Sequence, residues 1–168
     1  MEIIVSPLAA VQLLVDRHKV GHVVSLLGPE TPHRAFTGIA GGNHLRLTFH
    51  DIVEPAEGFT APAGEHVETL IRFLEARRGD DPMLIHCWAG ISRSTASAFT
   101  AMCLYNPGDD EGRLARQLRS LSPVATPNRR IVAIADDILG RQGRMVDAVD
   151  GIGRGADASE GVIFQWRI

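Results

Sequence analysis

The apolar positions of the chain form short runs and helical stripes that alternate along its first half. Apolar runs of strand length fall at residues 3–5, 22–27 and 83–85, and residues 45–49 alternate between apolar and polar. Between these runs, apolar residues recur at helical spacing over residues 8–19 and 66–74. This order of strands and helices predicts an α/β fold, with a central, mainly parallel sheet flanked by helices.

The second half of the chain is helical in pattern until its composition changes. Residues 95–105, which read Thr-Ala-Ser-Ala-Phe-Thr-Ala-Met-Cys-Leu-Tyr, have the small and apolar character of a buried helix. Two further stripes follow at Leu114, Leu118 and Leu121, and at Ile131, Ile134, Ile138 and Leu139. Asp109 and Thr126-Pro127 are predicted to start these two helices. After about residue 145 Gly, Asp and Ala dominate, so we expect one domain over residues 1–145 and a loosely ordered C-terminal tail over residues 146–168. The apolar segment at 162–166 can dock either on the body of the protein or on a partner, and both possibilities stay open.

Composition restricts the classes of function. The chain has 168 residues, of which 45% are hydrophobic and 22% charged, as in ordinary globular domains. The net charge of −3 argues against a general nucleic-acid-binding surface. The N-terminus lacks the pattern of a signal peptide, and no apolar run is long enough to cross a membrane. Two cysteines do not form a disulfide scaffold, and a reactive thiol fits a reducing compartment, so we expect a cytoplasmic protein. From the charge and the apolar pattern, we expect neither nucleic-acid nor membrane partners.

One stretch in the middle of the chain carries the chemistry. It reads His-Cys-Trp-Ala-Gly-Ile-Ser-Arg-Ser over residues 86–94, between the apolar run at 83–85 and the helix that follows. A turn between a strand and the start of a helix directs backbone N–H groups, and the positive end of the helix dipole, at one point. The sequence therefore predicts an anion site with a thiol, Cys87, inside it.

Each residue type in this stretch has a chemical reason. A helix N-terminus and a nearby cation favour the thiolate form of a cysteine such as Cys87, which is the nucleophilic form. Gly90 permits a positive φ or a close backbone approach. Arg93 offers a planar fork of donors for two oxygens of one phosphate. Ser94 can hydrogen-bond to the sulfur, and His86 is expected to orient the loop and tune the sulfur from behind it.

The stretch resembles the signature of the cysteine-dependent protein tyrosine phosphatases: His-Cys, five residues, Arg, then Ser or Thr. Its mid-chain position and compact loop are most similar to the dual-specificity branch, in a small bacterial form. The low-molecular-weight branch, with its Cys near the N-terminus, fits poorly. The resemblance covers residues 3–144 in the order of elements and is strong only around the signature. It implies a protein tyrosine phosphatase-like fold with a Cys-x5-Arg phosphate-binding loop.

The resemblance also implies a reaction. The Cys87 thiolate attacks the phosphorus of phosphotyrosine, with phosphoserine and phosphothreonine as further candidates, and water hydrolyses the phosphocysteine. The non-bridging oxygens are held by the loop, where phosphoryl transfer needs its charge stabilised. The implied substrate-binding residues are Trp88, Ala89, Gly90, Ile91, Ser92 and Arg93. No metal or cofactor is implied, the partner is a phosphorylated protein or a small phosphoester, and the oligomeric state stays open.

The family takes the proton for the leaving group from an Asp upstream of the Cys. Asp51 is the best match, because residues 49–52 (Phe-His-Asp-Ile) resemble the Phe-Asp-Asp segment of small relatives, with His in place of the first Asp. Asp51 lies 36 residues before Cys87, a slightly longer spacing than is typical of the branch. Glu54 and Glu57 are alternatives. Since free aspartic acids are mostly ionised at neutral pH, we expect an acid-side activity optimum.

Other readings stay open at this point. A rhodanese-like sulfurtransferase also places a Cys in an anion-binding loop, but the Arg93-Ser94 pair and the upstream acid favour a phosphatase. A non-catalytic phosphate-binding module is a further alternative. Such a module need not keep the nucleophile, so the presence of Cys87, Arg93 and Ser94 argues against it. Asn128, in a segment similar to the one before the last helix of dual-specificity relatives, either supports the loop or only starts a helix. Cys103 fits a core cysteine better than a redox partner.

Overall fold

The computed structural model describes residues 1–79 and 81–167, which form an α/β fold of two helical layers around one sheet. The strands are β1 (Glu2–Pro7), β2 (His22–Leu27), β3 (His44–Thr48), β4 (Met83–Cys87) and β5 (Phe164–Arg167). The α-helices are α1 (Val11–His18), α2 (Gly64–Ala76), α3 (Arg93–Tyr105), α4 (Glu111–Leu121), α5 (Arg129–Ile138) and α6 (Arg144–Ile152). Short 3-10 helices lie at Leu8–Ala10 and Gly41–Asn43.

The sheet has the strand order β3-β2-β4-β1-β5, and its first four strands are parallel. Strand β4 lies at its centre, where Cys87 pairs with Pro7 of β1 and His86 pairs with Ser25 of β2. All five residues of β4 are buried, as expected for a central parallel strand covered on both faces. The predicted mainly parallel sheet with flanking helices is confirmed.

The two faces of the sheet are covered unequally. Helix α1 and Phe36 pack on one face, and helices α2 to α6 form a larger core on the other. Helix α3 is buried at almost every position. Two of its hydroxyl side chains are satisfied within the helix, since Ser97 and Thr100 each donate to the carbonyl four residues earlier at 2.9 Å. Small residues with internally bonded hydroxyls therefore allow α3 to lie inside the protein.

Two predicted helix starts are displaced by one or two residues. Helix α4 is capped by Asp110, whose carboxylate accepts from the Arg113 backbone N–H at 2.7 Å, while Asp109 pairs with the Arg113 guanidinium. Helix α5 is capped by Asn128 instead of Thr126-Pro127. In each case several polar residues compete for the cap, and the tertiary position of the chain decides between them.

The C-terminal segment differs from its prediction. Residues 146–168 were expected to be loosely ordered, but the predicted boundary at 145 falls inside α6, and residues 164–167 form β5. Strand β5 pairs antiparallel with β1 and buries Phe164 and Trp166, each only 5% exposed. Of the two possibilities for the end of the chain, the described residues thus show docking on the body of the protein, where this short alternating strand covers the edge of β1.

We expect Trp166→Ala to lower the free energy of unfolding by about 3 kcal/mol, because it removes a buried aromatic side chain from β5. The matched change on the exposed face of the same strand, Gln165→Ala, should cost less than about 0.5 kcal/mol. Urea denaturation followed by circular dichroism measures both. Equal losses in the two variants would show that the inner face of β5 adds no packing energy.

Candidate active site

The signature loop connects the centre of the sheet to the start of a buried helix. Cys87 is the last residue of β4 and Arg93 is the first residue of the 13-residue helix α3. The loop thus lies at the carboxyl end of a central strand and at a helix N-terminus, which is the predicted setting for an anion site. Beside it is a cavity of about 580 Å³. The loop contributes Cys87, Trp88, Ala89, Ile91, Ser92 and Arg93 to its lining.

Two polar groups lie against the sulfur of Cys87. The Gly90 backbone N–H donates to Sγ at 3.2 Å, and the Ser94 hydroxyl oxygen lies 3.2 Å from Sγ. Gly90 has a φ of +77°, and a Cβ there would lie 2.7 Å from the Pro7 backbone nitrogen. The loop can therefore curl around the sulfur only with glycine at position 90. Cys87 itself is 2% exposed and is not in a disulfide.

Arg93 is buried and keeps one donor unused. Its Nη1 donates to the Phe49 carbonyl at 3.0 Å, and the side chain lines the cavity. Within the part of the chain that the structure describes, its buried Nε has no hydrogen-bond partner. An unpaired buried N–H is costly, so the Arg93 guanidinium at this cavity still has hydrogen-bonding capacity to satisfy.

Asp51 lies at the cavity and is held from two sides. Its Oδ1 accepts from the Ser92 hydroxyl at 2.7 Å and from Asn128 Nδ2 at 2.8 Å. Asn128 also caps α5 through its Oδ1, so it both starts a helix and supports this site. Among the described residues that line the cavity, Asp51 is present but Glu54 and Glu57 are not. The geometry thus brings together the Asp and the Cys that the resemblance implied.

The residue that departs from the family pattern has a structural role. The His50 backbone N–H donates to the Thr60 carbonyl at 2.8 Å, and its Nδ1 accepts from the Thr60 N–H at 2.9 Å. These two bonds close the loop that follows Asp51. His50 also packs edge-on against Phe59, with ring centroids 4.9 Å apart. In the sequence, His50 stands out only because it replaces the first Asp of the Phe-Asp-Asp segment, and nothing there predicts these contacts.

A buried chain of polar side chains runs behind the loop across three strands. His86 Nδ1 lies 3.2 Å from the Cys87 carbonyl, which can only accept, so Nδ1 carries a proton. His86 Nε2 lies 2.6 Å from Ser25 Oγ, which lies 2.8 Å from His44 Nε2. With His86 neutral, the hydrogen bonds all point the same way. His44 Nε2 donates to Ser25 Oγ, Ser25 Oγ donates to His86 Nε2, and His86 Nδ1 donates to the Cys87 carbonyl. His86 therefore orients the loop backbone, and the polar Ser25 inside an apolar strand was the signal for its partners.

Burial favours the neutral form of both histidines in this chain. Loss of hydration on burial lowers the pKa of His86 to about 4. The hydrogen bond to the Cys87 backbone raises this pKa, whereas the positive charges of neighbouring His44, His33 and Arg34 lower it further. Burial likewise lowers the pKa of His44 to about 4, with smaller contributions from Arg46 and His33. The proton arrangement described above is thus the one that holds at neutral pH.

Cys103 and Trp88 occupy different environments. Cys103 is completely buried in the core, where burial raises its pKa to about 12, so it behaves as a core thiol. Trp88 lines the cavity and is 61% exposed, so it forms part of the cavity wall. No helix in residues 1–79 and 81–167 has the length and hydrophobicity needed to span a membrane.

The amino-acid sequence is similar to two mammalian proteins, both called dual specificity protein phosphatase 15. It is 28% identical to the rat protein over 115 residues, which is 68% of this chain and 44% of that one. It is 29% identical to the human protein over 115 residues, which is 68% of this chain and 35% of that one. The chain thus spans less than half the length of these curated relatives. No protein-family model matches it.

The fold is similar to that of solved phosphatases. Superposition on the crystal structure of DUSP15 gives a TM-score of 0.65 at 20% identity and covers 89% of each chain. Superposition on the PTP-2 phosphatase of Cydia pomonella gives 0.64 at 21% identity and covers 80% of this chain and 84% of that one. The architecture is therefore that of the protein tyrosine phosphatase fold.

The fold is that of the protein tyrosine phosphatases, and the loop between Cys87 and Arg93 has the Cys-x5-Arg spacing of their signature. The chain is similar in sequence to dual specificity protein phosphatases and shares the fold of the protein tyrosine phosphatases.

The buried histidines predict a pH dependence of stability. The unfolded chain binds protons at the ordinary histidine pKa, whereas folded His44 and His86 bind them only near pH 4. Their contribution is therefore complete above about pH 6.5 and is lost as the pH falls toward 4. His44→Gln removes one of these groups and keeps a donor for Ser25. Between pH 7 and pH 5 the wild type should lose roughly 1–2 kcal/mol more stability than this variant.

Urea denaturation at the two pH values measures this difference. The variant is expected to be less stable than the wild type at pH 7 but to be closer to it at pH 5. An identical pH dependence in the two proteins would contradict the neutral, buried state of His44.

Proposed function

We propose that this chain is a phosphomonoesterase that hydrolyses phosphotyrosine through a phosphocysteine intermediate on Cys87, with phosphoserine and phosphothreonine as further candidate substrates. One observation carries the proposal. A buried thiol receives the Gly90 N–H at 3.2 Å and lies on the same cavity as Arg93, whose buried Nε has no partner among the described residues. This is the arrangement that a thiolate nucleophile and a phosphate dianion need.

In the first step, Arg93 and the loop amides bind the non-bridging phosphate oxygens. The Cys87 thiolate attacks phosphorus, the S–P bond forms and the bond from phosphorus to the ester oxygen breaks. Asp51 gives a proton to that oxygen, so the alcohol leaves neutral. Because both hydrogen bonds of Asp51 fall on Oδ1, Oδ2 is the oxygen assigned to this transfer.

In the second step, a water molecule attacks the phosphorus of the phosphocysteine. Asp51, now a carboxylate, takes the proton from the water, and the S–P bond breaks to release phosphate. The Ser94 hydroxyl, 3.2 Å from the sulfur, stabilises the departing thiolate. The cycle returns Cys87 to its starting form and uses only water as co-substrate.

The charges at the cavity support a substrate with a single phosphate group. Among the described lining residues, Arg93 is the cation, and Glu30 and Asp51 are carboxylates. Highly anionic lipids and RNA ends would place further negative charge near these carboxylates. A phosphorylated protein or a small phosphoester avoids that repulsion.

We expect iodoacetate to alkylate Cys87 at mildly acidic pH faster than it alkylates glutathione, and phosphate to protect it, because the loop stabilises the thiolate. Loss of p-nitrophenyl phosphate hydrolysis and mass spectrometry of the adduct measure the reaction. Cys87→Ser should be inactive, while Cys103→Ala serves as the matched cysteine control and should keep the activity. Absence of phosphate protection, or turnover of thiosulfate instead of the phosphoester, would overturn the proposal.

Asp51→Asn tests the general acid without removing its contacts, since the amide oxygen still accepts from Ser92 and Asn128. We expect kcat for phenyl phosphate, a poor leaving group, to fall by about 10²–10⁴ while KM changes little. The loss with p-nitrophenyl phosphate should be smaller. Glu54→Gln and Glu57→Gln are the matched controls, and full activity of Asp51→Asn on phenyl phosphate would transfer the role to one of these residues.

A further inference from the structure

An extended segment passes over the signature loop between α6 and β5, and we call residues 153–163 the strap. The Gly161 backbone N–H donates to the Ala89 carbonyl of the loop at 2.7 Å. Just before this contact, Ala158 and Ser159 line the same cavity as Cys87. The strap thus forms part of the wall of a cavity whose reactive atom belongs to another part of the chain.

The first half of the strap is anchored to the segment between α4 and α5. The Gly155 N–H donates to Thr126 Oγ1 at 3.1 Å, and the Thr126 N–H donates to the Ile91 carbonyl at 2.9 Å. Arg119 Nη2 donates to the Gly153 carbonyl at 2.8 Å. Thr126 therefore connects the strap to the signature loop a second time, on the opposite side of Ala158 and Ser159 along the strap.

Two glycines allow the strap to lie this close to the body of the protein. A Cβ on Gly161 would lie 2.3 Å from the Gly90 carbonyl oxygen, and a Cβ on Gly155 would lie 2.5 Å from the Val124 carbonyl carbon. Any other residue at these positions must push backbone away from backbone. Beyond the strap, the buried Phe164 of β5 fixes the exit of the segment. The wall is therefore built with backbone contacts at both of its ends.

We propose that the strap is a specificity-determining wall that makes the active site favour phosphotyrosine over phosphoserine and phosphothreonine. The proposal rests on the phosphomonoesterase activity proposed above. The Cys87 sulfur is buried at a cavity that Ala158 and Ser159 help to line, so a phosphoester bound there lies beside the strap. A tyrosine ring carries its phosphate further from the peptide backbone than serine or threonine does. A raised rim therefore keeps the shorter side chains from bringing phosphorus to the sulfur.

The test compares Gly161→Ala with Gly151→Ala, the same substitution at a glycine of α6 whose Cβ would have nothing within 4 Å. Each protein is assayed with a phosphotyrosine peptide and a phosphothreonine peptide of otherwise identical sequence. We expect the wild type to prefer phosphotyrosine by about tenfold or more in kcat/KM. In Gly161→Ala the ratio should fall by about threefold or more, mainly through KM, whereas Gly151→Ala should match the wild type.

A second variant, Ala158→Gly combined with Ser159→Gly, lowers the wall without touching Gly90 and should change the ratio in the same direction. The kcat for p-nitrophenyl phosphate, measured in each variant, reports separately on any change in the signature loop, since this substrate has no peptide to contact the wall. Hydrogen exchange of the strap measures its displacement.

Each outcome has a separate meaning. A wild-type ratio near one, or an unchanged ratio in both variants while exchange of the strap increases, would overturn the role of the strap alone. No turnover of any phosphoester by the wild type would overturn the proposed function, and the role of the strap with it.

Discussion

The close contact between the signature loop and the end of β1 is the constraint on which the site depends. Pro7 pairs with Cys87 across the sheet, the Leu8 N–H donates to the Trp88 carbonyl at 3.1 Å, and Gly90 lies against the Pro7 nitrogen. On its other side, the loop is held by Thr126 through the Ile91 carbonyl. Backbone contacts from distant parts of the chain therefore fix the loop before any substrate binds, which is the preorganisation that anion stabilisation requires.

The electrostatics of the site divide between its front and its back. In front of the sulfur are the Gly90 N–H, the helix α3 terminus and Arg93, all of which favour negative charge. Behind it, burial keeps His86 and His44 neutral, with each pKa near 4. The histidine next to the nucleophile thus acts through geometry, by directing the Cys87 carbonyl, and the positive field comes from the loop and the arginine.

The sequence was most informative where structure is local. The strand, turn and helix around Cys87 follow from contiguous residues, and so the anion site and the parallel sheet could be predicted. Ser25 and His44 could not be placed beside His86, because their contact depends on the lateral order of β3, β2 and β4. The position of Asp51 came from a resemblance, but the hydrogen bonds that hold it join segments far apart in the sequence.

The C-terminal segment shows most clearly that contacts between distant parts of the chain cannot be predicted from local sequence. Its glycines suggested looseness, yet Gly155 and Gly161 serve close backbone approach. Since β5 pairs with β1 across almost the whole length of the chain, this contact closes a very long loop and carries a high entropic cost during folding. We expect β5 to dock late, after the β4–α3 unit has formed. During synthesis, the nucleophile would then take shape before the part of the chain that encloses it.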